Sequence, residues 1–85
     1  MAAYDVFLKR PAEKELKRLP DDLHDRIVAI LQSLKENPRP VGIKKLSGRD
    51  GYRIRVGDYR VLFVIDDDNK KVEVYAIRHR RDVYR

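Results

Sequence analysis

Arg53, Arg55 and Arg60 are the residues of this chain whose type and spacing point most directly to chemistry. A guanidinium keeps its charge at any ordinary pH, so it is a poor base. It excels at clamping a phosphate through two parallel N–H bonds and at stabilising charge that builds on phosphoryl oxygens. The local sequence gathers the three. Tyr52, Ile54 and Val56 alternate with Arg53 and Arg55, the period-2 pattern of a half-buried strand. Gly57-Asp58 follows as a two-residue hairpin turn, with glycine where positive φ is needed. That turn sets Val56 opposite Tyr59 and Arg55 opposite Arg60, so the arginines stand on the side away from Ile54, Val56 and Val61. Like charges opposed across a ladder destabilise it by up to roughly 1 kcal/mol. A hairpin that keeps them is built to receive an anion, with phosphate the leading candidate.

The charge distribution agrees. Of 85 residues, Lys and Arg supply 20 and Asp and Glu 14, a formal net charge of +6. Residues 44–60 hold six basic and two acidic side chains, and residues 77–85 four and one; residues 61–76 hold two and four. Two basic segments able to meet in space suit a nucleic-acid backbone better than a diffuse excess. The chain has no cysteine, hence neither disulfides nor thiolate metal sites. Its two histidines lack metal-ligand spacing, so neither metal nor other cofactor is expected. No apolar run approaches the roughly 20 residues of a membrane span, and no signal-peptide stretch opens the chain. A soluble cytoplasmic protein is expected, with no membrane partner.

The elements that must carry the arginines read as follows. Tyr4, Val6 and Leu8 alternate as a first strand. Pro11 opens a helix striped by Ala12, Leu16 and Leu19 and ended by Pro20. Asp21 or Asp22 caps a second helix, with Leu23, Ile27, Ile30, Leu31 and Leu34 as its apolar stripe and Asn37-Pro38 as its stop. Residues 38–51 read mostly as connection. Tyr59 to Ile65 is nearly all apolar after Arg60, as a central strand would be. Asp66-Asp67-Asp68-Asn69 forms a solvated turn, and Val72 to Ile77 the last strand. One domain over 1–85 results, of α+β class: an N-terminal strand, an antiparallel two-helix hairpin and a mostly antiparallel sheet, in the order β-α-α-β-β-β.

The basic tail adds Arg78, His79, Arg80, Arg81 and Tyr84. The register of the last strand stays open: one setting places Arg78 beside Arg60, and a one-residue slip places His79 there. Histidine is the side-chain type in this region that exchanges protons near neutrality. Tyr84 has a face that can stack on a base and a hydroxyl that can reach a phosphate; the plain alternative is an anchor for the tail. Tyr52, Tyr59 and Phe63 belong to the apolar face and serve structure. Metal-free RNA cleavage needs little more than such groups. The RNA brings its own nucleophile, the 2′-hydroxyl, and the protein aligns it and neutralises the transition state. A phosphate-holding RNA-binding module without catalysis would use the same face.

The segments Lys14-Glu-Leu-Lys-Arg-Leu-Pro20, Gly42-Ile-Lys-Lys-Leu-Ser-Gly48, Tyr52-Arg-Ile-Arg-Val-Gly-Asp-Tyr-Arg60 and His79-Arg-Arg-Asp-Val-Tyr84 together resemble the RelE toxins of the RelE/ParE superfamily, in order and over nearly the whole chain. The resemblance implies a type II toxin–antitoxin toxin that binds the ribosome, cleaves mRNA in the A site without metal, and is neutralised in a hetero-oligomer with a RelB-like antitoxin. It implies roles at the cut for Arg55, Arg60, Arg78 and Tyr84 and a basic strand residue at Arg53; His79 joins the catalytic candidates as the group able to exchange a proton, and Arg53, Lys44, Lys45, Arg80 and Arg81 are the expected RNA contacts of the two basic segments. Arg53 and Arg55 stand where studied RelE proteins have lysines, so a lysine general base is lost there. The ParE-like alternative within the same superfamily poisons DNA gyrase and would not need converging arginines.

Overall fold

The computed structural model describes residues 3–83. Strand β1 (Asp5–Leu8) leads into α1 (Arg10–Arg18) and α2 (Asp21–Leu34); β2 (Lys44–Lys45), β3 (Tyr52–Val56), β4 (Tyr59–Asp66) and β5 (Lys71–His79) follow, then the short α3 (Arg80–Val83). The sheet runs in the order β1-β5-β4-β3-β2, which puts β4 at its centre as its apolar run requires. Only the β1–β5 pairing is parallel, so the sheet is mixed. Two features depart from expectation. The connection contains a two-residue strand, β2, on the outer edge of β3. Pro20, and neither aspartate, occupies the cap position of α2, and no side chain caps it; Asp21 and Asp22 lie in the first turn, where their charge suits the helix dipole.

Both helices pack on one face of the sheet. Ala12 of α1 is fully buried, a small residue that lets that helix lie close to β5. Ile27, Leu31 and Leu34 of α2 close over Val61 and Phe63 of β4 and Val72 and Val74 of β5. Removing a side chain such as Phe63 from this core would cost about 3 to 5 kcal/mol. The other sheet face, which carries the arginines, is covered by neither α1 nor α2.

A bulge lies where β4 and β5 meet, between Leu62 and Phe63: Leu62 opposes Ala76 while Phe63 opposes Val74. Tyr75 is therefore an extra residue. It changes the phase of β5, so that Val72 and Val74 point into the core before it and Ile77 does so after it.

The acidic turn after β4 is more than solvated. Arg39 donates to both carboxylate oxygens of Asp67, at 3.1 and 2.9 Å, and the Tyr4 hydroxyl donates to Oδ1 at 2.7 Å. The Arg39 guanidinium also lies over the Tyr52 ring, 5.6 Å from its centre. This cluster ties the start of the chain, the α2–β2 connection and the β4–β5 turn together. Arg39 first, then the Tyr4 hydroxyl, holds the Asp67 carboxyl down at about 2. An unfolded aspartate titrates near 3.9, so the depressed value stabilises the fold fully above that pH and the contribution is lost as pH falls through about 2. Asp67→Asn should accordingly melt below wild type at neutral pH, with the gap closing in acid. Thermal melts from about pH 7 down to about pH 2 check this; a gap independent of pH would mean the carboxylate's charge plays no part.

Candidate functional site

The hairpin forms as its turn requires. Gly57 takes φ 59°, no other residue of the turn is at positive φ, and the register sets Val56 opposite Tyr59, Arg55 opposite Arg60 and Arg53 opposite Leu62. On the far side of β4, Arg60 opposes Arg78, which resolves the open register of the last strand in favour of the arginine. Arg55, Arg60 and Arg78 thus form one row across three strands. The next row on the same face runs Lys44, Arg53, Leu62, Ala76. Neighbouring strands lie about 4.8 Å apart, so each cation of a row sits next to another.

Gly42, Lys44, Arg53, Arg55 and Arg60 line a cleft of about 290 Å³. Among the described residues no carboxylate borders it, and Arg53, Arg55, Arg60 and Arg78 make no ion pair. Arg55 Nε–H donates to the Gly57 carbonyl at 3.2 Å, which steers its guanidinium along the hairpin. Arg60 differs from expectation. A place on the sheet face away from the helices predicts an exposed side chain, yet Arg60 is 9% exposed, because the central strand sets it between the side chains of two flanking strands. Its Nη1 is buried without a hydrogen-bond partner among the described residues. An orphaned donor on a buried cation at the base of an acid-free cleft is a site prepared for an anion. Gly42 was missed in the sequence; it stands at φ 100°, a conformation that favours glycine, two residues ahead of Lys44.

The other residues named from sequence are dispersed. His79 opposes Tyr59, with the rings edge-on at 5.3 Å, and so points to the helix side, away from the row. Its Nδ1 accepts the Arg81 backbone N–H at 3.3 Å. The expected proximity of His79 to the phosphate site fails because the register favours Arg78. Lys45 opposes Tyr52, which stacks on Phe63, and Lys45 therefore also lies on the helix side, at the sheet edge. Arg80 and Arg81 are exposed on α3; Arg80 approaches Asp58 to 4.0 Å, and its backbone N–H donates to the Asp58 carbonyl at 2.7 Å. That bond fastens the tail to the hairpin turn. Tyr84 lies outside the described residues.

A buried donor without a partner costs about 1 to 3 kcal/mol. Arg60→Met, apolar and unbranched, should therefore raise the melting temperature by several degrees in low-salt, anion-free buffer. Differential scanning calorimetry of the pair tests this; a variant less stable than wild type would make Arg60 a structural residue.

Residues 6–84 match the family described as the ParE toxin of the type II toxin–antitoxin system parDE. The chain is 33% identical over 84 residues to the toxin RelE of Mycobacterium tuberculosis, covering 96% of this chain and 87% of that one. To the toxin RelE3 of Methanocaldococcus jannaschii it is 32% identical over 84 residues, covering 93% of each. Among solved structures, the RelE–RelB complex of Pyrococcus horikoshii superposes with a TM-score of 0.83 at 29% identity, over 94% of this chain and 97% of that one. The toxin in the intact RelBE complex of E. coli does so with a TM-score of 0.77 at 27% identity, over 88% and 94%. Sequence, fold and order of elements thus agree along nearly the whole length, and the chain is a toxin of the RelE/ParE superfamily of type II toxin–antitoxin systems.

Proposed function

We propose that this toxin is a ribosome-dependent endoribonuclease that cuts mRNA in the A site without a metal ion. The observation that carries the reading is the unpartnered Arg60 guanidinium at the base of a cleft shared with Arg53, Arg55 and Lys44. The scissile phosphate seats on Arg60 and Arg55, with Arg78 beside them and Arg53 and Lys44 on the neighbouring phosphate. The 2′-hydroxyl oxygen attacks the adjacent phosphorus, the bond to the 5′-oxygen breaks, and a 2′,3′-cyclic phosphate and a 5′-hydroxyl result. The arginines hold the RNA in line and neutralise the charge that gathers on the equatorial oxygens. No histidine or carboxylate lines the cleft among the described residues, so solvent or a ribosomal group takes the 2′-hydroxyl proton and likewise supplies the proton that the departing 5′-oxygen takes up. Tyr84 stacks on the splayed base at the cut. Relatives solved as RelE–RelB complexes support a RelB-like antitoxin as the partner that neutralises it.

The ParE description of the matching family favours a second reading, inhibition of DNA gyrase without cleavage. One experiment separates them. Ribosomes programmed with a defined message should be cut by wild type, and Arg60→Ala or Arg55→Ala should lower the rate about a hundredfold or more, the usual effect of removing one donor from a developing charge. Affinity for the ribosome should fall with salt, and each lost phosphate contact should flatten the log–log slope by about 0.7 to 0.9. An intact message together with stalled gyrase supercoiling would replace this reading by the second.

A further inference from the structure

Beyond the arginine row, the same sheet face carries a feature that the cleavage chemistry does not use. Leu62 and Ala76 are buried there, although neither belongs to the core beneath the helices. The bulge inserts Tyr75 next to Ala76, and Tyr75 too lies outside that core. From the loop between β2 and β3, the guanidinium of Arg49 lies over the Tyr75 ring, 5.4 Å from its centre. Arg49 is exposed and forms no ion pair among the described residues. The Tyr75 hydroxyl is buried and makes no hydrogen bond among them, so the ring contributes its flat face and not its polar end.

The arrangement holds one planar cation against an aromatic ring and leaves the outside of that cation free. An arginine plane presented this way is a surface on which a nucleobase stacks. Its position fits. Tyr75 stands three residues from Arg78 along β5, a span of roughly 10 Å, with Ala76 between them. A base carried by the nucleotide next to the held phosphate can reach across such a span. Acid-free on one side and planar on the other, the face suits single-stranded nucleic acid, whose phosphates and bases alternate in the same way.

We infer that Arg49, braced by Tyr75, is a stacking platform for the base of the nucleotide next to the phosphate held by Arg55, Arg60 and Arg78. The inference rests on the proposed RNA-cleaving function and adds a second subsite to it. Because every base has a flat face, the platform gives grip and register without sequence selection.

The test uses two fluorescein-labelled probes of equal charge, a hexa-adenylate RNA and a hexamer of abasic spacers, titrated into the intact protein at low salt. Wild type should bind the RNA roughly 5- to 150-fold more tightly than the spacer chain. Arg49→Ala should lose most of that preference while binding the spacer chain nearly as well as wild type does. Arg49 is exposed on a loop, so the variant should fold, and circular dichroism verifies this. Arg49→Lys keeps the charge without the plane and should behave like Arg49→Ala. Full preference in either variant overturns the platform. If Arg60→Ala weakens both probes while Arg49→Ala changes neither, the platform falls and the phosphate site stands. If wild type binds neither probe, the platform falls, while the cleavage reading is decided separately by the programmed-ribosome assay.

Discussion

With Gly57 at φ 59°, the chain reverses direction in two residues, and Arg55 has no partner on the adjacent strand but Arg60. A longer loop would leave the register free to relax, and repulsion between guanidiniums would favour a slip that separates them. A one-residue slip is blocked, because it would also turn Ile54, Val56 and Val61 out of the core. The tight turn and the buried apolar face therefore act together: one sets the pairing and the other enforces it. Arg78 joins the row through the same logic on the other side of β4. The site's electrostatics are in this sense a by-product of core packing on the opposite face.

That coupling explains where the destabilising features sit. Three cations side by side, one of them buried with an orphaned donor, would be costly in a floppy scaffold. Here they stand across the three inner strands of a five-stranded sheet, with Arg60 on the central one beside Val61, which is fully buried. The unsatisfied guanidinium thus sits on the strand that is paired along both edges. Rigid placement of this kind is what allows fixed charges to stabilise a transition state without reorganising first. Away from the row, three arginines are paired or braced: Arg39 by Asp67 and Tyr52, Arg49 by Tyr75, Arg80 by Asp58. Others such as Arg10, Arg18 and Arg26 are exposed singly on the helices, so the row is distinguished by convergence and by the burial of Arg60.

Much of this was legible in the sequence because it depends on short-range pattern. The hairpin register, the central position of β4, the two helical stripes and the placement of Tyr52, Tyr59 and Phe63 on the core side all follow from periodicity and turn chemistry. What escaped has a physical reason in each case. A two-residue strand such as β2 has no period to detect. The parallel contact of β1 with β5 joins segments more than 60 residues apart, which local pattern cannot encode. The sheet face of Arg60 predicts exposure, whereas its burial comes from neighbours on two other strands. His79 and Lys45 were grouped with the basic face by composition, and strand parity turned both to the other side. The role of Asp67 was hidden in a run of three aspartates, of which one happens to meet an arginine from a distant loop.

The bulge at Tyr75 bears on how this strand can change over time. A strictly alternating β5 that kept Val72 and Val74 inward would send Ile77 to solvent and Arg78 into the core, so one supernumerary residue keeps the two ends of the strand in opposite phase. Single-residue insertions or deletions are tolerated nowhere between Val74 and Arg78, since each would exchange the wet and dry sides of everything beyond it. Paired length changes preserve the phase. The strand thus behaves as two independently editable halves joined by a fixed joint, and the half bearing Arg78 inherits its orientation from a residue that takes no part in holding the phosphate.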